Sequence, residues 1–251
     1  MFLGIPTQPT CARAWVAAAS AIAEAVDAYN IVIDVDNPTK FDERDSAVVA
    51  LVDTFLRDRK LNSISTITNT IFPETLLRQH GSPKFYDVYH TEVFDKLTTS
   101  KGWGRYFERL TRHVDGEGAT YNPLQDTIDK LKAVKASNHQ FKSVYELAVY
   151  DPLIDRRYRR GGQCLSFLSF KLHPERGLTL TALYRNQTYI TRCLGNLIGL
   201  GMLQDFVAKQ AGLNVGPLTC IATHAELDIG KGWGITDARK LVTDAAALLK
   251  V

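Results

Sequence analysis

The 251-residue sequence is short of most features that would place it at a glance. Cysteine occurs only at Cys11, Cys164, Cys193 and Cys220, with no CxxC pair and no regular spacing. That argues against a disulfide framework and against a metal site, and points to a reducing compartment. The N-terminus lacks the basic-then-apolar pattern of a secretory signal, and the Ala-rich stretch 13–27 is interrupted by Arg13, Ser20 and Glu24. Neither export nor a membrane partner is expected, and the localisation that remains is cytoplasmic. A net charge of +3 with 23% charged residues is too weakly basic for a nucleic-acid track. There is no Walker loop, no GxGxxG, no internal repeat and no low-complexity linker.

What is present is a hydrophobic content of 45%, enough to bury a substantial core in one domain spanning 1–251. Residues 11–28 carry a helical period and IVIDV at 31–35 is a short β-branched run, so helix then strand is expected. A second helix is expected from a cap at Asp45 or Ser46 to Lys60, on the spacing of Val48, Val52, Phe55 and Leu56. The stretch 73–97 reads as two helices joined by a turn at His80-Gly81-Ser82-Pro83, and Pro123 to Val134 as another helix. A strand is expected at 143–150, a basic loop at 156–162, and two β runs at 164–172 and 178–185 with a hairpin-like connection. A long helix from about Cys193 to Ala211 is closed by Gly212, with Gly195, Gly199 and Gly201 as close-approach positions inside it. A strand at 217–222 and a helix from about Thr236 complete the series. Helices and strands mix without regular βα alternation, which is the pattern of an α+β fold.

One ordered set of residues carries chemical interest: Gln163-Cys164, Arg185-Asn186, Gly195-Asn196 opening the long helix, Asn214-Val215-Gly216, and Thr223-His224. Singly each has an ordinary structural explanation, the cysteine as a core residue and the asparagine as a locally bonded side chain. In order and spacing, over about 160–228, they resemble the thymidylate synthase family. There a catalytic cysteine starts a strand, the next strand ends in a QRS-type arginine, a helix bearing an asparagine follows, and a VGD-type turn leads to a strand ending in Thr-His. Upstream, Pro73-Glu74 followed by Gly81 is similar to the family's catalytic-glutamate helix, and Gly102-Trp103-Gly104-Arg105 is similar to its YGxQW segment.

The resemblance implies a thymidylate synthase-like fold with a large mixed β-sheet flanked by helices, and a homodimer. It also implies a pyrimidine nucleotide substrate and 5,10-methylenetetrahydrofolate as one-carbon donor. Cys164 would be the nucleophile, because C5 of a pyrimidine reacts with an electrophile only after a thiolate adds to C6. Arg185 would favour the thiolate and grip the phosphate, with Asn186 beside it. Asn196 would read the edge of the base, His224 the sugar, and Glu74 would manage protons through water, a first-turn helix glutamate being the alternative for that residue.

The sequence also departs from the family. Trp103 stands where the family has a proton-relaying tyrosine, Thr188 where an aspartate contacts folate, and Glu226 where a tyrosine contacts the sugar. The paired phosphate-binding arginines have no direct match, so Arg156 and Arg157 in the basic loop are candidates, with a solvated charge run as the alternative. The family continues through further strands to a segment that closes over the folate, and little sequence follows His224. That leans toward hydroxymethylation, in which water attacks the one-carbon adduct, while Asn196 leans toward uracil. The expected activity is therefore pyrimidine nucleotide C5 one-carbon transfer, methyl or hydroxymethyl. A non-catalytic nucleotide-binding relative and a folate-independent C5 exchange enzyme are the alternatives.

Overall fold

The computed structural model describes residues 2–97, 104–137, 141–158 and 161–250. In chain order its elements begin with β1 (Leu3–Gly4), α1 (Cys11–Ile22), β2 (Asp27–Val35), α2 (Glu43–Asp58), α3 (Ile64–Ile71), α4 (Glu74–His80) and α5 (Lys84–Val88). A π turn at Tyr89–Phe94 follows, then α6 (Tyr106–Thr111), the small hairpin β3 (His113–Val114) and β4 (Thr120–Tyr121), and α7 (Pro123–Ala136). The C-terminal half contains β5 (Glu146–Ala148), α8 (Pro152–Asp155), β6 (Leu165–His173), β7 (Gly177–Tyr184) and β8 (Gln187–Thr188). A second π turn at Tyr189–Cys193 leads into α9 (Leu194–Ala211), and β9 (Val215–Glu226) and α10 (Ile235–Leu249) finish the chain.

Seven strands form one mixed sheet in the order β1-β2-β9-β7-β6-β5, with β8 continuing the line of β7 along β9. The fold is α+β, as the irregular alternation of elements implied. Several elements run longer than their sequence patterns. β2 starts four residues before the IVIDV run because its first half pairs with the end of β9, Asp27 opposite Glu226 and Tyr29 opposite His224. β9 extends to Glu226 for the same reason, whereas β5 shrinks to three residues at the sheet edge. Helices α3 and α6 were not foreseen, since both are shorter than the window in which a helical period can be read.

Helices α1 and α9 cover one face of the sheet, and its inward side chains, among them Ile33, Cys220, Ala182 and Leu168, are buried. α9 is buried nearly all round, so its small residues set how closely neighbours approach. A Cβ at Gly195 would lie 2.7 Å from the Ile67 side chain on α3, and one at Gly201 would lie 2.6 Å from the carbonyl of Pro38. The close-approach reading of these glycines holds. Gly212, at φ 65°, ends the helix in the left-handed conformation that a Cβ disfavours.

On the opposite face the side chains of the central strands are only partly covered. Phe167, Leu183, Ile221 and Val32 form a partly exposed row directly in register across β6, β7, β9 and β2. Beside it runs a polar row of Ser169, Thr181, Thr219 and Asp34, in which Thr219 donates to Asp34 at 2.9 Å.

Candidate active site

The sheet edge where β6 begins and β7 and β9 end gathers the reactive groups. Cys164 immediately precedes β6, and its carbonyl accepts from the backbone N–H of Arg185 at the end of β7, 2.9 Å away. Gly161 and Gly162 have φ of 82° and 81°, so the chain turns sharply into this position. A Cβ at Gly162 would lie 3.2 Å from the Arg185 guanidinium. That guanidinium donates to the Gly161 carbonyl at 3.1 Å, so the double glycine both makes the turn and seats the arginine.

Cys164 is half-buried and opens into a cavity of about 420 Å³. The walls come from the loop before β6, from Thr70 at the end of α3, from Arg105 and Tyr106 at the start of α6, and from Asn186, Gln187 and Thr188. The floor is Thr191, Arg192 and Asn196, where the π turn enters α9. That turn is held by the carboxylate of Asp228, which accepts from the N–H of Ile190 at 2.7 Å, and by the Trp15 indole, which donates to the Tyr189 carbonyl at 2.8 Å. Burial raises the Asp228 carboxyl above its ordinary range, a cost that the N–H donors of the turn oppose.

The electrostatics centre on the thiol. Burial pushes Cys164 above its ordinary value. The charges of Arg185 and then Arg192, with a hydrogen bond from Arg185, pull it back, while Glu226 pushes the other way. Two guanidinium groups therefore face one thiol. The Tyr106 hydroxyl oxygen accepts from the N–H of Cys164 at 3.3 Å and of Leu165 at 3.4 Å. Burial keeps this phenol protonated by lifting it to about 12, so its O–H is available to donate.

The expected residues are distributed unevenly. Cys164, Asn186, Thr188 and Asn196 all line the cavity, and Arg185 stands at its edge against the thiol. Asn196 is 5% exposed, and among the described residues its amide has no hydrogen-bond partner. His224 sits behind Asn186 rather than in the lining. Its Nδ1 is 2.6 Å from the Asn186 Oδ1, its ring lies against Tyr29, and its Nε2 is 3.6 Å from Asp27. Asn186 in turn donates to Glu226 at 3.4 Å. The Asn186 side chain is thus held between His224 and Glu226.

Glu74, expected to manage protons beside Cys164, is not among the residues that line the thiol cavity. It is exposed at the start of α4 and lines a separate groove with Phe41, Asp53 and Met202. Arg156 and Arg157 are exposed beyond α8 and are not part of the cavity lining. Trp103 lies outside the described residues.

The lining residues that were not singled out as site residues from the sequence include Arg105, Tyr106, Gln187 and Arg192. Arg192 had a legible signal, as a lone cation at the head of the apolar run that becomes α9. Tyr106, three residues after Trp103, brings a phenol hydroxyl against the backbone of Cys164. Behind the cavity, Arg109 on α6 and Asp155 on α8 form a buried bidentate pair at 2.5 and 2.9 Å, and Arg109 also donates to the Val149 carbonyl at 2.9 Å. Among the described residues no group of three metal-ligand side chains occurs, and no helix is long and apolar enough to cross a membrane.

No family model matches this chain, and no curated protein matches it. Among solved structures it is similar to the crystal structure of thymidylate synthase from T4 phage, with a TM-score of 0.49 and 15% sequence identity over 86% of this chain and 71% of that one.

Proposed function

We propose that this protein is an enzyme that adds the Cys164 thiolate to C6 of a pyrimidine nucleotide and so activates C5 for one-carbon transfer. The observation that carries the reading is the thiol in a polar cavity faced by Arg185 and Arg192, with the unpartnered amide of Asn196 in the same wall. The guanidinium groups favour the thiolate and attract the nucleotide phosphate, Arg105 adding a third cation to the lining. Asn196 meets the base edge, and Asn186, steadied by His224, meets the sugar or phosphate. Addition forms the S–C6 bond, moves the ring electrons onto C5 and the carbonyl oxygen, and leaves C5 nucleophilic. In this reading the Tyr106 O–H, held against the backbone of Cys164, is the proton donor at the site.

The described lining suits a nucleotide better than a pterin. Tyr106 is the one aromatic ring among the described lining residues, and no aliphatic wall faces it, so stacking surface for a folate is wanting. The chemistry assigned to these residues accordingly stops at the activated C5. 5,10-Methylenetetrahydrofolate remains the donor to test first, with Thr188 at the cavity as the residue nearest a folate contact. Incubating the protein with 5-fluoropyrimidine nucleotides and that donor should give a covalent adduct at Cys164. An unchanged intact mass across uracil, cytosine, ribo and deoxy forms would refute the proposal. The same lack of stacking surface favours a second reading, folate-independent C5 exchange, which predicts tritium release from C5-labelled nucleotide without any folate.

For assembly, the proposal is a homodimer in which a second copy covers the open sheet face. An in-register apolar row flanked by hydroxyl side chains is self-complementary across a two-fold axis.

A further inference from the structure

The charges of Arg185 and Arg192 favour the Cys164 thiolate, and each guanidinium is held by an oxygen that carries no charge. Arg185 donates to the Gly161 carbonyl at 3.1 Å. Arg192, in the floor of the cavity, meets the side chain of Asn62. A guanidinium is donor-only, and that fixes the sense of the amide. The Asn62 oxygen faces Arg192 and accepts from Nη1 and Nη2, each at 3.3 Å, whereas the other sense would set N–H against N–H. The seat is firm. Asn62 lies in the short connection between α2 and α3, where the N–H of Leu61 donates to the Leu56 carbonyl at 2.9 Å, Ser63 caps α3, and the N–H of Ile64 donates to Asp53 at 2.7 Å. Arg13, Arg57 and Arg109 are held differently, each against a carboxylate within 2.8 Å that offsets its charge. Among the described residues neither Arg185 nor Arg192 has such a partner.

We infer that Asn62 is a positioning residue for the thiol chemistry: it holds the Arg192 guanidinium in the cavity floor without neutralising it. An aspartate of the same shape would hold the arginine as firmly, but its charge would offset the field that favours the thiolate. An alanine would leave the charge and free the side chain, and an exposed arginine without a seat spreads over many rotamers. The Asn62 oxygen engages only the side of the guanidinium between Nη1 and Nη2. Among the described residues Arg192 makes no other hydrogen bond, so its remaining N–H groups are left for an anion of the substrate. This role rests on the reading of Cys164 as the nucleophile and deepens it, because part of the activation of the thiol then comes from a residue outside the cavity lining.

The test is the pH dependence of Cys164 alkylation by iodoacetamide, read by peptide mass. It compares the intact protein with Asn62→Ala, Asn62→Asp, Arg192→Ala and the double variant Asn62→Ala with Arg192→Ala. Asn62 is exposed, so its variants should keep the wild-type thermal transition. Asn62→Ala should slow alkylation at neutral pH by about threefold and move the profile upward, and Asn62→Asp should slow it at least as much. Adding Asn62→Ala to Arg192→Ala should change nothing further, because the group through which Asn62 acts is already gone. An unmoved profile in Asn62→Ala overturns the inference. So does an equal shift in both backgrounds, which would mean that the side chain acts through its loop and not through Arg192. Alkylation of Asn62→Asp at the wild-type rate overturns it as well, since a charged seat would then serve as well as a neutral one. If Asn62→Ala loses its thermal transition, Asn62→Ser in the same cycle decides. No nucleotide enters this assay, so its failure is distinct from failure of the nucleotide reading, which the 5-fluoropyrimidine adduct tests.

Discussion

Replacing Asp155 with Asn tests the clamp behind the cavity, because the new side chain keeps the shape of the old and removes only its charge. Arg109 would then be a guanidinium whose side chain is 4% exposed, facing an amide in place of a carboxylate. Breaking a buried pair from one side costs about 3–5 kcal/mol, since the remaining charge stays desolvated. For a chain of this size each kcal/mol lowers the melting temperature by about 2–4 °C, so a fall of about 6–20 °C is expected. Urea unfolding at neutral pH, followed by circular dichroism, gives the free energy directly. The double variant Arg109→Met with Asp155→Leu should recover most of the loss, because neither charge is then buried. Burial opposes ionisation of Asp155, but hydrogen bonds from Arg109 and the Asp151 N–H, with the charges of Arg109 and Arg185, outweigh it and hold the carboxyl below its ordinary 3.8. The sign follows from that depression: the stabilisation is present above the unfolded value and is lost as pH falls through the lower folded one. The gap between wild type and Asp155→Asn should therefore close only in strong acid. A single variant within about 1 kcal/mol of wild type, the scale of a surface pair, would refute the reasoning.

Arg192→Ala removes one of the two charges that favour the thiolate, so alkylation of Cys164 by iodoacetamide should slow at pH 7 and its pH profile should move upward. An unmoved profile would show that the guanidinium does not reach the sulfur. Gly201→Ala should destabilise by about 1–3 kcal/mol despite the better helix propensity of alanine, because the new Cβ meets the backbone of Pro38, which cannot step aside; thermal melting reads it. Leu183→Arg, on the open sheet face, should convert dimer to monomer by light scattering without lowering the melting temperature of the monomer. A wild type that is monomeric at micromolar concentration would count against the dimer.

Much of this was legible because strands carry their neighbours with them. Cys164 and Arg185 come together through antiparallel pairing of β6 and β7, and Asn196 follows because the chain must return over the sheet directly afterwards. The residues that escaped notice reach the site by routes without a sequence period. Tyr106 arrives from a six-residue helix and Gln187 from a two-residue strand. Arg192 is carried by a π turn, whose extra residue shifts the face on which a side chain emerges. Glu74 shows the converse. A proline and a glutamate at a helix start are common to many helices, and only the folded chain shows that Glu74 shares a groove with Phe41 and Met202.

The distribution of thiols turns the molecule into its own folding gauge. Cys11, Cys193 and Cys220 are buried, and burial raises all three well away from reactivity, while Cys164 alone among the cysteines is reachable. A thiol reagent should count one group per chain in the native protein and all four after denaturation. Because Cys193 adjoins the π turn and Cys11 donates to the carbonyls of Pro38 and Leu197, their slow labelling would report how often the floor of the cavity and the base of α9 open on their own.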